Sequence, residues 1–308
     1  MDKSNTCSSN STTELLGSLH TDLEQLKAQQ LKLIIHVGTP KTGTTSLQTY
    51  LNKRQRKLRE KGILYPHNLE KLKNPTAPKH QWFEKNLIAA NFGYFLENLK
   101  NIVAQVKHNT HTIIISSEGI YNYWWDIPDE SKNILVELNT IFDIEVWAWF
   151  REPLAFIESY YKQCIRNPQV ENNPCYGKNL SFPEMLEIEW FYQHLDYQGF
   201  VSECKVIFGE NKVSAFKYEG DVVQEVIQKL GLSTPHDNPT PRKNKSLNSV
   251  SIELLRATNN YNIRAKDKDL LIPHLKQIDE IFDSYVNEPL IDEQSRKRVL
   301  AISNPIIF

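Results

Sequence analysis

Short apolar runs alternate with longer amphipathic stretches through most of the chain. Four runs rich in Ile, Val and aromatic residues are typical of buried strands, and they span residues 31–37, 111–117, 144–150 and 212–218. Helical periodicity marks residues 46–62, 81–107, 129–140 and 220–230, and Pro153 opens a further helix. Strands that alternate with helices predict an α/β fold with a central, mainly parallel sheet flanked by helices.

The first 30 residues follow a different pattern, and we expect an N-terminal arm followed by a single domain over residues 31–308. A capping box at residues 11–14 starts an amphipathic helix in this arm. Its leucines recur at 3-4-3 spacing, at Leu16, Leu19, Leu23 and Leu26. Two interpretations stay open because fewer than three heptads are visible: a helix packed on its own chain, or a short coiled coil that makes a homodimer.

Composition and charge narrow the classes of function. The 308 residues carry 36 Lys and Arg against 37 Asp and Glu, a net charge of −1 that argues against general nucleic-acid binding. No apolar stretch approaches about eighteen residues, and the N-terminus lacks a basic start before an apolar segment, so we expect no membrane span and no signal peptide. No C-x-x-C pair occurs among the cysteines, which predicts a cytoplasmic protein without a zinc site or disulfide framework. They are Cys7, Cys164, Cys175 and Cys204.

A glycine-rich segment, GTPKTGTTS at residues 38–46, joins the first strand to the next helix. Such a turn places backbone N–H groups at the helix N-terminus, where the helix dipole also favours an anion. Hydroxyl side chains and one lysine add further donors. The candidate phosphate ligands in this loop are Pro40, Lys41, Thr42, Gly43, Thr44, Thr45 and Ser46.

The loop departs from the G-x-x-x-x-G-K-[ST] loop of nucleoside-triphosphate enzymes. Its two glycines keep the required spacing, but Thr44 stands where the lysine belongs, and the loop lysine is Lys41 instead. The second strand runs into Ser117 and Glu118 and lacks the aspartate that holds Mg²⁺ in nucleotide hydrolases. These departures disfavour a kinase or ATPase and predict a site for a phosphate-like group without a metal.

The segment HVGTPKTGTTSLQ resembles the 5′-phosphosulfate loop of sulfotransferases that use 3′-phosphoadenosine 5′-phosphosulfate (PAPS). A second segment, WFREPLAFIESYYKQ, resembles the family's 3′-phosphate motif, in which Arg151 and Ser159 supply the contacts. The basic residues Arg242, Lys243 and Lys245 resemble the late segment that closes over this phosphate. The resemblance covers about residues 31–305 and is closest in style to bacterial small-molecule sulfotransferases. It implies a three-layer P-loop fold, PAPS as co-substrate and adenosine 3′,5′-bisphosphate (PAP) as product.

Sulfuryl transfer assigns tasks to particular residues. The resemblance implies that Lys41 stabilises charge on the leaving phosphate oxygen. Two candidates for the base that takes the acceptor proton are Glu118, just beyond the second strand, and His80, after the proline-rich loop. We interpret His36, inside the first strand, as a buried core residue.

The acceptor side is predicted from the aromatic stretch directly after the second strand. It offers Tyr121, Trp124, Trp125 and Asp126, and aromatic faces together with carboxylates attract cations. We therefore expect a small acceptor sulfated on a hydroxyl or nitrogen, such as a guanidinium alkaloid of saxitoxin type in natural-product biosynthesis. Alternative acceptors are a phenol, a lipid alcohol or a glycan. The rings of this stretch could instead only pack the core, and the chain could be a nucleotide-binding protein without turnover.

Overall fold

The computed structural model describes residues 31–40, 42–66, 79–232, 247–261, 263–282, 289–306 and 308. Within this part of the chain there are five strands: β1 Lys32–Gly38, β2 Ile63–Leu64, β3 Thr112–Ser116, β4 Asp143–Phe150 and β5 Val213–Lys217. The helices of the first 150 residues are α1 Thr44–Lys53, α2 Gln55–Glu60, α3 Trp82–Ile88, α4 Phe92–Val103, α5 Gly119–Asn122 and α6 Asp129–Leu138. The later helices are α7 Pro153–Arg166, α8 Phe182–Leu186, α9 Glu189–Tyr192, α10 Tyr197–Phe208, α11 Val222–Lys229, α12 Ser249–Thr258, α13 Ala265–Phe282 and α14 Glu293–Ile302.

The five strands form one parallel sheet in the order β2-β3-β1-β4-β5, with helices on both sides, which confirms the predicted α/β fold. In the register, His36 of β1 stands opposite Ser116 of β3 on one side and Trp147 of β4 on the other. The carboxyl ends of these three strands therefore meet at one edge of the sheet. Open parallel sheets bind ligands at this edge.

Alternate residues of the strands face two separate hydrophobic layers. Ile34 and Ile114 pack with Leu47 and Leu51 of α1 and with Val226 of α11. The opposite face of the sheet lines a small apolar cavity with Ile35, Val37 and Val146. The other walls of this cavity come from helices α3, α5, α6 and α10 and from Trp124. Because both faces are covered, the strands are nearly continuous apolar runs in the sequence.

Local signals explain where the elements differ from the prediction. The helix predicted over residues 46–62 is two helices separated at Arg54, whose φ of −112° ends α1. The helical stretch at 81–107 is also interrupted, where Ala90 has a φ of 47° and Asn91 caps α4 by accepting from the amide of Tyr94. The strand β2 is only two residues long, which is too short for a periodic signal. It is one of the two outermost strands of the sheet.

Contacts divide the chain into two compact units, Met1–Phe150 with Phe200–Pro235 and Arg151–Gly199 with His236–Phe308. In the second unit, α7 packs on α12 and α14. The buried Lys268 ammonium donates to the carbonyls of Ile165 and Asn167 at 3.3 and 2.9 Å and so caps the C-terminus of α7. Compact units of this size occur within single domains as well, so one domain over residues 31–308 stays a prediction. Among the described helices, none has the length and apolar character to cross a membrane, and the N-terminal arm lies outside the described residues.

Candidate functional site

The glycine-rich loop has the strand, turn and helix arrangement that the sequence predicts. It leaves β1 at Gly38 and turns where both the amide and the hydroxyl of Thr42 donate to the carbonyl of Thr39, at 3.2 and 2.8 Å. Gly43 then adopts a left-handed conformation, with φ 77° and ψ 11°, and α1 begins at Thr44. Lys41, the residue expected at the leaving oxygen, lies outside the described residues.

The N-terminus of α1 presents the donors that an anion requires. The amides of Thr44 and Thr45 have no acceptor within the helix, and the first turn contains no acidic residue. The side chains of Thr45 and Ser46 are exposed. Thr42 is buried and its hydroxyl donates to the carbonyl of Thr39 in the loop itself, so this side chain shapes the turn.

Glu118 lies at the same edge of the sheet as the loop, because β3 is the direct neighbour of β1. It follows the last residue of β3 by two positions and its side chain is 28 % exposed. One carboxylate oxygen, Oε1, lies 3.4 Å from the Nζ of Lys79. Glu118 is therefore accessible to solvent and lies at the same edge of the sheet as the glycine-rich loop, which fits a candidate base.

His80 is enclosed and bonded to the main chain. Its Nδ1 accepts the amide proton of Ser116 at 3.0 Å, and its Nε2 donates to the carbonyl of Pro66 at 3.1 Å. Burial lowers the pKa of His80 to about 4, although its backbone hydrogen bonds oppose the shift. With 1 % exposure and both ring nitrogens engaged, this geometry argues against His80 as the base and favours Glu118.

His36 is a buried core residue, as the sequence predicted. Its Nδ1 is 2.9 Å from the hydroxyl of Ser116, and its ring packs against Trp149. Burial lowers its pKa to about 3, so the ring is neutral at physiological pH. The side-chain amide of Gln48 on α1 donates to the hydroxyl of Ser116 at 3.2 Å. This bond links α1, the helix after the glycine-rich loop, to the end of β3.

The predicted acceptor stretch divides into buried and accessible residues. Tyr121 and Trp124 are buried, with Tyr121 packed edge-on against Phe200 and the Trp124 Nε1 donating to Glu203 at 2.5 Å. This supports the alternative in which these two rings pack the core. Trp125 is partly exposed and Asp126 is exposed, so these two residues alone of the four proposed remain accessible.

The second motif begins in the second unit, directly after the last residue of β4. Arg151 is partly exposed, and Glu152 caps α7 by accepting from the amides of Leu154 and Ala155 at 3.0 and 2.8 Å. Ser159 lies in the second turn of α7 and is partly exposed. The three residues of the late basic segment, Arg242, Lys243 and Lys245, lie outside the described residues.

The sequence did not indicate two charged residues, before and within α3, that contact the segment after β3. Lys79 pairs with Glu118, and Glu84 of α3 is 2 % exposed with its carboxylate against the backbone of Gly119. A charged residue in an amphipathic helix gives no signal that it is buried, so Glu84 was not detectable. Lys79 adjoins His80, and that proximity was the one available signal.

The comparisons with known proteins identify no relative. A scan against protein-family models finds no match, and neither the curated proteins nor the solved structures contain a significant similarity to the chain.

Proposed function

We propose that the chain is a PAPS-dependent sulfotransferase of the P-loop type that acts on a small acceptor. One observation carries the proposal: two features follow the carboxyl ends of the neighbouring strands β1 and β3. After β1 comes the N-terminus of α1 with its exposed hydroxyls, and after β3 comes the partly exposed Glu118. A phosphate-binding turn without the lysine of nucleoside-triphosphate loops suits a phosphosulfate better than a triphosphate.

The residues of the loop fit the 5′ end of PAPS. The amides at the start of α1 and the hydroxyls of Thr45 and Ser46 would bind the 5′-phosphate oxygens, and Lys41 would neutralise the bridging oxygen. Arg151 and Ser159 would bind the 3′-phosphate, together with Arg242, Lys243 and Lys245. When bound, PAPS supplies the sulfuryl group and a phosphate leaving group.

Glu118 accepts the proton of the acceptor as the acceptor attacks sulfur. A bond forms between the acceptor oxygen or nitrogen and sulfur, while the sulfur–oxygen bond to the phosphate breaks and its electron pair leaves with PAP. The backbone donors and Lys41 stabilise the charge on that leaving oxygen. This scheme places both tasks at one edge of the sheet.

The acceptor surface is smaller and less acidic than the sequence suggested. Tyr121 and Trp124 are buried, and Lys79 pairs with Glu118, the carboxylate that begins the aromatic stretch. These two observations favour a neutral hydroxyl compound, such as a phenol, over a guanidinium alkaloid. Trp125 offers the ring against which such an acceptor would stack.

Equilibrium binding tests the nucleotide half of this proposal. Titration calorimetry with PAP, 5′-AMP and Mg·ATP should give an affinity for PAP at least about a hundredfold above that for 5′-AMP, since a phosphate held by charged hydrogen bonds contributes roughly 3 kcal/mol. Tighter binding of Mg·ATP than of PAP would favour a kinase or ATPase. Strong PAP binding without any PAPS turnover would favour the non-catalytic alternative.

A further inference from the structure

One residue from the segment before α3 makes two hydrogen bonds to the main chain at the end of β3, in addition to the bonds from β1 and Gln48. His80 accepts the Ser116 amide proton on its ring at 3.0 Å and donates its own amide proton to the Ser116 carbonyl at 3.2 Å. These two bonds make a closed pair between the same two residues, both of which are buried. Glu118 begins only two residues beyond this fixed point.

The residue next to His80 contacts Glu118 itself. Lys79 Nζ lies 3.4 Å from Glu118 Oε1, with the side chains 33 % and 28 % exposed. Because the hydrogen bonds of His80 hold the main chain at residue 80, the backbone of Lys79 is held near the carboxylate, and less backbone entropy is lost when the pair forms.

A third contact closes the same region from the other side. A Cβ on Gly119 would stand 2.2 Å from Oε1 of Glu84, so the Glu84 carboxylate occupies the space of a side chain at residue 119. The segment from residue 79 to residue 84 therefore contacts the chain before, at and after Glu118.

We propose that Lys79 is a positioning residue for Glu118: it holds one carboxylate oxygen, and His80 fixes the backbone from which Lys79 extends. The inference rests on the proposed function, in which the other oxygen, Oε2, accepts the acceptor proton as the new bond to sulfur forms. Lys79 acts through Glu118 and does not bind the nucleotide. Removing Glu118 must therefore also remove the effect of Lys79.

A double-mutant cycle tests this dependence. The variants are Lys79→Met, Glu118→Gln and the double variant, with Lys79→Arg as the conservative replacement. The matched control is Lys32→Met, which breaks the ion pair between Lys32 and Glu145 at 2.6 Å, at the start of β1. The readouts are the single-turnover release of PAP from PAPS, which counts transfer to any acceptor including water, the affinity for PAP, and the urea midpoint.

Three results are expected. Glu118→Gln slows release by about 10²-fold or more, as removal of a general base does, whereas Lys79→Met slows it about tenfold. The double variant matches Glu118→Gln within about twofold, because interacting residues are not additive. Lys79→Arg releases PAP within about threefold of the wild-type rate. The affinity for PAP does not change in Lys79→Met, and the rate of PAP release does not change in Lys32→Met.

Two results would overturn the inference while leaving the proposed function standing. In the first, Lys79→Met slows the Glu118→Gln enzyme by the same factor as the wild type, which would make its effect independent of Glu118. In the second, Lys79→Met weakens PAP binding tenfold, which would make Lys79 a nucleotide ligand. A wild-type protein that neither binds PAP nor releases it from PAPS would instead overturn the proposed function and, with it, this inference.

Discussion

Val222 of α11 stands against Gly43, so that its Cγ1 would lie 2.9 Å from a Cβ added to the glycine. The glycine is also in the left-handed region, with a φ of 77°. Close approach and backbone conformation therefore both demand glycine at the point where the glycine-rich loop enters α1. The loop depends on α11, which follows it by nearly 180 residues in the sequence.

Gly43→Ala should consequently weaken nucleotide binding. The left-handed conformation costs a residue with a Cβ roughly 1–2 kcal/mol, and relief by a change of the turn would displace the amides of α1. We expect PAP affinity to fall at least about tenfold in calorimetry. Gly93→Ala is the control, since a Cβ at Gly93 in α4 meets nothing within 4 Å. Equal affinities in the two variants would contradict the role of the loop.

Arg151→Ala and Ser159→Ala should discriminate between nucleotides. Loss of hydrogen bonds to a charged phosphate costs roughly 1.5–3 kcal/mol each, so PAP affinity should fall about tenfold to a hundredfold. Binding of 5′-AMP, which lacks the 3′-phosphate, should not change. Arg166→Ala is a control on the same helix, because Arg166 pairs with Asp269 at 3.1 Å. An equal loss for both nucleotides would place Arg151 and Ser159 elsewhere in the site.

Stability should decrease as the pH falls below 6.5. Burial lowers the folded-state pKa of His36 to about 3 and that of His80 to about 4, so between pH 6 and 4 the unfolded chain binds protons that the folded chain does not. Each histidine then contributes a slope of roughly 1.4 kcal/mol per pH unit, and stability rises with pH. Urea unfolding at pH 7, 6 and 5 measures this slope. His36→Gln should reduce the slope of stability against pH by the contribution of one histidine. An unchanged slope would contradict the neutral, buried state of His36.

Two adjacent tryptophans should separate folding from acceptor binding. Trp124→Ala should lower the free energy of unfolding by about 3–5 kcal/mol, since Trp124 is 1 % exposed. Trp125→Ala should cost only about 1 kcal/mol and instead raise KM for the acceptor. A stable Trp124→Ala protein with altered acceptor preference would restore Trp124 to the acceptor site.

The sequence predicted the sheet and the position of the loop because buried parallel strands and a glycine-rich turn leave strong local signals. It did not predict β2, whose two residues carry no period, or the break at Ala90, which no glycine or proline marks. At the candidate site it placed Glu118 just beyond the second strand, where the structure has it, and the role of Glu118 as the base stays a prediction. The burial of His80, Tyr121 and Trp124 depends on segments distant in sequence, such as β3 for His80 and α10 for the two rings, so their residue types alone were compatible with either a core or a site.

Transfer of a radioactive label from PAPS to an acceptor tests directly whether the protein is a sulfotransferase. The wild-type protein is incubated with a pool of phenols, alcohols, glycans and guanidinium compounds, and with either [³⁵S]PAPS or [γ-³²P]ATP. For a sulfotransferase we expect ³⁵S to pass to an acceptor with one PAP released per sulfate, and ³²P not to pass. We also expect Lys41→Ala to slow the transfer by about 10²–10³-fold. Transfer of ³²P, or wild-type rates in Lys41→Ala, would contradict the proposed function.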